Sequence, residues 1–140
     1  MMKLFKYTAV VALAGSLAAC GGGVKEPASL DGEKVFFAFD KSDITSESRK
    51  NLQGQALYMK NNKDVRVIVE GHCDERGTEE YNLALGARRA NASKNVMVRE
   101  GVEANRIRTI SYGKSRPAVK GTGEEVWKWN RNTTTRVIAQ

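Results

Sequence analysis

Residues 71–78 read GHCDERGT and residues 79–91 read EEYNLALGARRAN, which together predict the end of a strand, a polar turn and a long helix. Thr78 is placed to cap the helix with its hydroxyl. Glu79 and Glu80 would lie in the first turn, where carboxylates complement the helix dipole. This strand–turn–helix unit sets the pattern for the rest of the chain.

Strand and helix signals alternate on both sides of this unit. Apolar and β-branched runs predict strands at 35–39, 65–70, 107–112 and 134–139. Apolar stripes predict helices at 46–62, from Thr78 to about Gly101, and at 124–130. Such alternation predicts an α/β sandwich of the α+β class, with a sheet covered by helices on one face.

Two strands and one helix stripe carry more specific expectations. Residues 65–70 form a nearly continuous apolar run, which predicts burial on both faces. The last strand is unusually polar, with several threonines, so we expect its edge to be less firmly packed. In the long helix, one apolar stripe predicts a core-facing side formed by Tyr81, Leu85, Ala92 and Val96.

The N-terminus has the layout of a secretory signal. Lys3 and Lys6 precede an apolar run over 7–19, which is shorter than the about 20 residues of a transmembrane helix. The run ends in Leu-Ala-Ala-Cys at 17–20, which resembles the bacterial lipobox. It predicts a lipoprotein signal peptide over 1–19 and lipidation of Cys20, on its thiol and its amine. The alternative is an ordinary signal peptide with a chance cysteine.

A glycine-rich segment follows the predicted anchor. Residues 20–33 contain three consecutive glycines and Pro27, which is typical of a flexible linker with an extended reach of about 45–50 Å. Residues 34–140 then form one domain. Gly21 is consistent with transfer of the lipoprotein to the outer membrane, so we expect the domain to face the periplasm.

Charge and cysteine content narrow the class of partner. The formal net charge of +7 becomes +5 without Lys3 and Lys6, and the remaining basic residues are spread along the chain. Because the charge is not clustered and the protein is exported, we expect no nucleic-acid partner. With Cys20 lipidated, Cys73 is left as a single thiol, so no internal disulfide is expected.

The opening unit brings opposite charges into one region. Asp74 lies in the turn beside the helix start, and Arg89 lies about three turns along the helix. A carboxylate suits an ammonium and an arginine fork suits a carboxylate, so the pair suits a ligand with both groups on one carbon. Taken singly, each residue has a structural alternative, since Asp is common in Asx turns and arginines often lie on solvated helix faces.

The motif GHCDERGT, with YNL at 81–83 and RRAN at 88–91, resembles the OmpA-like peptidoglycan-binding domain. The resemblance runs from about Lys34 to about Arg131, and it implies a mixed four-stranded sheet covered by helices on one face. Two positions depart from the family pattern. Ala38 stands where many members have an acid, and Asn132 stands where the family commonly has an arginine, which leaves open whether the ligand preference is altered.

The resemblance also implies roles for individual residues. The acid matching Asp74 binds the ammonium of meso-diaminopimelate in peptidoglycan stem peptides, and the arginine matching Arg89 binds its carboxylate. The asparagine matching Asn82 lies nearby. The segment 39–42 resembles the other wall of the family's pocket, which carries Asp40.

For function, the resemblance implies an outer-membrane lipoprotein that binds peptidoglycan noncovalently. It would tether the outer membrane to the cell wall as part of the Tol–Pal system, which serves envelope integrity and cell division. TolB and other Tol-system proteins are the implied protein partners, and TolB would meet the same surface. The alternative is a periplasmic docking lipoprotein whose main ligand is a Tol-system protein rather than peptidoglycan.

Enzyme and metal-site interpretations have weaker support. His72, Cys73 and Asp74 are adjacent, so their side chains diverge, and His72 is the only histidine of the chain. A thiol enzyme would need a base directed at Cys73 and a partner to orient that base. We therefore expect no catalysis, no metal and no cofactor, with Cys73 packing inside the turn.

Overall fold

Strands and helices alternate through residues 23–140, the part of the chain that the computed structural model describes. In chain order these are β1 (Lys34–Phe36), α1 (Ser46–Asn61), β2 (Arg66–His72), α2 (Glu79–Arg99), a 3-10 turn (Ala104–Arg106), β3 (Ile107–Gly113), α3 (Glu124–Asn130) and β4 (Asn132–Ala139). The predicted signal peptide and Cys20 lie outside the described residues. Within 23–140, no helix combines the length and apolarity needed to cross a membrane.

The helix caps form as predicted. The hydroxyls of Thr45 and Thr78 accept the backbone N–H groups of Ser48 and Tyr81, each at 3.1 Å. The largest difference is at the first strand, which ends at Phe36 rather than at residue 39. Residues 38–41 form a turn instead, closed by a hydrogen bond from the Lys41 N–H to the Ala38 carbonyl.

The four strands form one mixed sheet in the order β1-β4-β2-β3. β2 and β3 are parallel, whereas β4 is antiparallel to both β1 and β2. With the helices, this confirms the predicted α+β class and the mixed four-stranded sheet. The expectation that the edge of the threonine-rich last strand is less firmly packed is wrong, because β4 lies in the middle of the sheet. Its buried Thr133 and Thr135 hydroxyls bond to Ser93 Oγ at 2.9 Å and Gln55 Oε1 at 2.5 Å.

Helices α1 and α2 cover one face of the sheet. Val67 and Val69 of β2 are fully buried in the core beneath them, with Leu52, Ala56 and Met59 of α1. The alternate β2 residues, Arg66, Ile68 and Glu70, are exposed or only partly buried. The expectation that β2 is buried on both faces is therefore wrong, because the described residues place the two long helices on one side only.

Two glycines set the distance between α2 and β2. A Cβ on Gly71 would come within 1.8 Å of the Gly86 carbonyl oxygen, so the two backbones touch. The parallel pairing of β2 with β3 is also interrupted between Gly71 and His72. This close contact and the irregular strand end place the turn after β2 directly beside the first turns of α2.

The segment before β1 contacts the domain. Leu30 is 1% exposed and belongs to the core, and Glu26 Oε2 accepts from Asn61 Nδ2 at 2.9 Å. A Cβ on Gly54 of α1 would come within 2.1 Å of the Lys25 carbonyl oxygen. This differs from the flexible linker predicted over 20–33. Burial of Leu30 and the space left by Gly54 hold residues 25–33 against the helix.

Candidate functional site

The sequence-predicted site residues meet in one cleft, between the 38–41 turn and the turn that joins β2 to α2. The cleft has a volume of about 220 Å³. Asp40, Asp74, Asn82 and Arg89 all line it, together with Phe39, Cys73, Arg76, Gly77, Tyr81 and Leu85. We refer to it as the Asp74 cleft. The predicted lipidation site, Cys20, lies outside the described residues.

Asp74 is 4% exposed and is held by arginines. Arg76 donates from Nη2 to Oδ2 at 2.8 Å, from Nε to Oδ1 at 3.2 Å, and from its backbone N–H to Oδ1 at 3.1 Å. Arg131 Nη1 lies 3.6 Å from Oδ2. Burial by itself raises the pKa of Asp74, but the hydrogen bonds and charges of the arginines outweigh it and hold the pKa below its usual value. Asp74 is therefore ionised at neutral pH.

Arg76 and Arg131 are site residues to which the sequence analysis assigned no role. The Arg76 guanidinium lies between two rings, 3.6 Å from the Phe39 centroid and 4.0 Å from the Trp127 centroid. Arg131 also pairs with Glu124, with Nη2 to Oε1 at 2.6 Å. Arg76 could have been noticed as the cation two positions after Asp74. Trp127 and Arg131 gave no such signal, because only the fold brings them to the turn.

Arg89 is 1% exposed, and most of its contacts are to the backbone. Its Nε donates to the Lys41 carbonyl at 2.8 Å, Nη1 to the His72 carbonyl at 2.9 Å and Nη2 to the Ala38 carbonyl at 3.1 Å. It thus joins the 38–41 turn to the end of β2. Three of its five N–H donors are used in this way, and two are not used by these bonds. Arg88 is exposed and does not line the cleft, as its position about 100° around the helix implies.

Asn82 and Asp40 line different walls of the Asp74 cleft. Asn82 Nδ2 donates to the carbonyls of Arg76 at 2.8 Å and Thr78 at 3.0 Å, so it fixes the turn that carries Asp74. Asp40 lies at the exposed rim in the left-handed region, with φ of 57°, and its carboxylate accepts from the Tyr81 hydroxyl. Tyr81 is 46% exposed, so the prediction that it faces the core is wrong: its hydroxyl is bonded at the rim instead.

Cys73 and His72 point to different surroundings. Cys73 is 3% exposed, its Sγ donates to the Asn82 carbonyl at 3.2 Å, and burial raises the pKa of its thiol. His72 lies instead beside Glu70 and the Tyr112 ring, with ring centroids 5.6 Å apart. Within residues 23–140, no three His, Cys, Asp or Glu side chains lie close enough together to hold a metal ion.

The family model and the relatives that match this chain indicate the same family. The model of the OmpA family matches residues 36–131. The peptidoglycan-associated lipoprotein of Mesorhizobium japonicum is 42% identical over 128 residues, which cover 87% of this chain and 76% of the relative. The peptidoglycan-associated lipoprotein of Haemophilus influenzae is 47% identical over 97 residues, which cover 69% of this chain and 63% of the relative.

Solved structures agree with the fold. The crystal structure of the peptidoglycan-associated lipoprotein from Burkholderia pseudomallei superposes with a TM-score of 0.71 at 34% identity. The match covers 76% of this chain and 89% of that one. The C-terminal domain of Helicobacter pylori MotB also gives a TM-score of 0.71, over 77% of this chain and 85% of that one, at 20% identity. The similarity to the MotB domain is evidence for the fold alone.

Proposed function

Because the chain belongs to the OmpA family, we propose that it is a cell-envelope lipoprotein that binds peptidoglycan noncovalently. One observation carries the proposal: Asp74 and Arg89, of opposite charge and 4% and 1% exposed, line the same cleft. Little water reaches either group, so each forms stronger and better oriented hydrogen bonds than an exposed charge would. No bond is made or broken, so the protein is a binding module and not an enzyme.

The ligand we propose is the zwitterionic end of meso-diaminopimelate in a stem peptide. Its ammonium would bind the Asp74 carboxylate, and its carboxylate would bind the two N–H donors of Arg89 that the backbone does not use. Arg76 already bonds to both oxygens of Asp74. Because the rings of Phe39 and Trp127 already hold the guanidinium of Arg76 between them, the incoming ammonium would share Asp74 with Arg76.

Asp40 and Asn82 complete the proposed site in different ways. Asp40 is exposed at the rim, so its carboxylate can meet the ammonium from the side opposite Asp74. Asn82 acts through the backbone, because its amide holds the carbonyls of Arg76 and Thr78. The departures at Ala38 and Asn132 bear on this proposal only lightly. Ala38 contributes its carbonyl to Arg89, and Asn132 Oδ1 accepts from the Thr134 hydroxyl.

Cosedimentation with purified peptidoglycan tests the site. Asp74→Ala and Arg89→Ala should each weaken binding about tenfold or more, since hydrogen bonds to charged groups contribute about 1.5–3 kcal/mol. Arg88→Ala is the matched control, because Arg88 is the exposed neighbour of Arg89. Because Arg89 also bonds to three carbonyls, thermal unfolding of each variant is measured alongside.

A change in the ligand makes the same test without altering the protein. Peptidoglycan whose diaminopimelate carboxylate is amidated should bind the unmodified protein more weakly, because the partner of Arg89 has lost its charge. Equal binding to amidated and unamidated peptidoglycan would contradict the assignment of Arg89. Undiminished binding by a folded Asp74→Ala variant would contradict that of Asp74.

We further propose that lipid on Cys20 anchors the protein to the outer membrane, with the domain on the periplasmic side. Three acyl chains give a lasting anchor where one holds only marginally. The Cys20→Ala variant should move from the membrane fraction to the soluble fraction of cell lysates. The lipoprotein claim fails if that variant stays with the membrane although its signal peptide has been removed.

Docking of a Tol-system protein is the alternative. It is favoured by the exposed apolar side chains of Phe39, Tyr81 and Leu83, 53%, 46% and 46% exposed, near the Asp74 cleft. Such a surface is typical of a protein contact. If TolB binds this surface, it should compete with peptidoglycan. If this protein binds TolB but does not cosediment with peptidoglycan, docking is its main role.

A further inference from the structure

The face of the sheet opposite α1 and α2 carries a second cleft, of about 310 Å³. Its walls come from β1, β2 and β4 and from the loop after β3. The residues that matter for its chemistry are Lys34, Glu70, His72, Arg116, Thr134 and Arg136. It shares no lining residue with the Asp74 cleft. We refer to it as the sheet-face cleft.

Positive charge exceeds negative charge in the sheet-face cleft. Lys34, Arg116 and Arg136 face a single carboxylate, Glu70, which pairs with Arg136 at 3.2 Å. None of the ion pairs formed within residues 23–140 includes Lys34 or Arg116. Lys34, on β1, and Arg116, in the loop after β3, are thus cations of the cleft that take part in none of these ion pairs.

The polar groups of the cleft are held in place. Lys34 Nζ donates to Thr134 Oγ1 at 2.7 Å, and the Thr134 hydroxyl donates to Asn132 Oδ1 at 2.8 Å. Arg116 stacks on the Tyr112 ring, with its guanidinium carbon 3.7 Å from the centroid. Ordered cations lose less conformational entropy on binding a ligand than free surface lysines do.

The charge of Arg136 also acts on Lys34. Burial, followed by the charge of Arg136, lowers the pKa of Lys34, and the charge of Glu70 opposes this. A bound anion would reduce the repulsion between Lys34 and Arg136.

We propose that the sheet-face cleft is an anion-binding site for a carboxylate or phosphate oxyanion, held by Lys34, Arg116 and Arg136. An arginine fork and an ammonium together match the several acceptor oxygens of such a group. Because the two clefts share no residue, the site can be filled while the Asp74 cleft holds its own ligand. The inference rests on the charges and geometry of this face and not on the proposed function.

Nuclear magnetic resonance titration of the unlipidated chain from residue 21 tests the site, since the core of the domain lies wholly within it. Sodium phosphate should give saturable shifts at residues 34, 116, 134 and 136, and sodium chloride at equal ionic strength should not. Lys34→Gln with Arg116→Gln should weaken phosphate binding about tenfold or more. Arg99→Gln, an exposed cation at the end of α2, should leave it unchanged.

Two further ligands separate the possible sources of the oxyanion. Sodium acetate supplies a free carboxylate, and phosphatidylglycerol vesicles, compared with phosphatidylcholine vesicles, supply a lipid phosphate. Binding of either that is lost in the double variant supports the site and identifies the source. Non-saturating shifts at cations all over the surface, or equal phosphate binding by the double variant and the unmodified chain, would overturn the proposal.

Discussion

Arg89 holds the walls of the Asp74 cleft together and is also the residue that we propose binds the ligand carboxylate. Its three bonds to the carbonyls of Ala38, Lys41 and His72 hold the walls of the Asp74 cleft together. A buried guanidinium needs such acceptors, because an unpaired charge away from water is costly. The same bonds hold the guanidinium in the orientation proposed for ligand binding. Loss of Arg89 is therefore expected to lower both stability and affinity, and only the ligand-side test with amidated diaminopimelate separates the two effects.

His72 predicts how stability depends on pH. Burial lowers the pKa of His72, although the charge of Glu70 opposes this and those of Lys34 and Arg136 add to it. Below about pH 6.5 the histidine of the unfolded chain takes up a proton that the folded protein resists. The free energy of unfolding should therefore fall as the pH is lowered from 7.5 to 5.5, by at most about 1.4 kcal/mol per pH unit.

Urea unfolding over that pH range measures the effect. Because His72 is the only histidine of the chain, the His72→Gln variant provides the control and should show a nearly flat dependence. Glu70, Lys34 and Arg136 face His72, and the ring of Tyr112 on the neighbouring strand lies beside it. An equal slope in the variant would mean that another group causes it.

At the scale of secondary-structure elements, the contact between β2 and α2 positions the site. Helix α2 approaches the strand so closely that neither Gly71 nor Gly86 has room for a side chain. The Asp74 turn therefore starts from a rigid base, with Asn82 and Arg89 on the helix that follows. Sites carried on strands and helices keep their geometry better than sites carried on long loops.

Alanine at these glycines should cost different amounts of stability. A Cβ at position 71 meets the backbone oxygen of Gly86 at 1.8 Å, which cannot move without shifting the helix. A Cβ at position 86 meets first the side-chain oxygen of Ser111, at 2.2 Å, which can rotate away. Gly71→Ala should lose about 3 kcal/mol or more in chemical unfolding, and Gly86→Ala less. The reverse order would contradict this account of the packing.

On the scale of the whole molecule, the docked N-terminal segment limits how far the domain can move from its proposed anchor. A fully extended linker over 20–33 would reach about 45–50 Å, whereas the stretch from Cys20 to Lys25 could reach at most about 17–18 Å. Contacts of Lys25, Glu26 and Leu30 with the domain account for the difference. We propose that the domain stays near the membrane unless this segment is released.

Gly54→Ala should release the first part of the segment. The added Cβ would lie 2.1 Å from the Lys25 carbonyl oxygen, and the chain at Lys25 can yield more easily than the helix. Nuclear magnetic resonance order parameters of the backbone N–H groups at 25, 26, 28 and 29 should fall, while overall stability changes by no more than about 1 kcal/mol, the gain in helix propensity. Arg49→Ala, at an exposed position of the same helix, should leave the order parameters unchanged. Unchanged order parameters in Gly54→Ala would mean that Leu30 alone holds the segment.

Local signals predicted most elements well. Residues 124–130 form α3 as expected, and Thr45 and Thr78 cap their helices, because caps and apolar periodicity depend on neighbours in sequence. The errors at Tyr81 and in β4 have the opposite cause. Whether an aromatic residue faces the core, or a threonine strand lies at the centre of a sheet, depends on which elements pack beside it.

The amino-acid sequence by itself determined the strand–turn–helix unit, the placing of Asp74 and Arg89 on it, and the family. It did so because residues close in sequence set caps, turns and periodicity. Only the tertiary structure decided that Arg131 lies beside Asp74, that Trp127 packs on Arg76, and that Lys34 and Arg116 share a cleft with Arg136. The strand order β1-β4-β2-β3 brings these distant segments together, and no local pattern encodes that order.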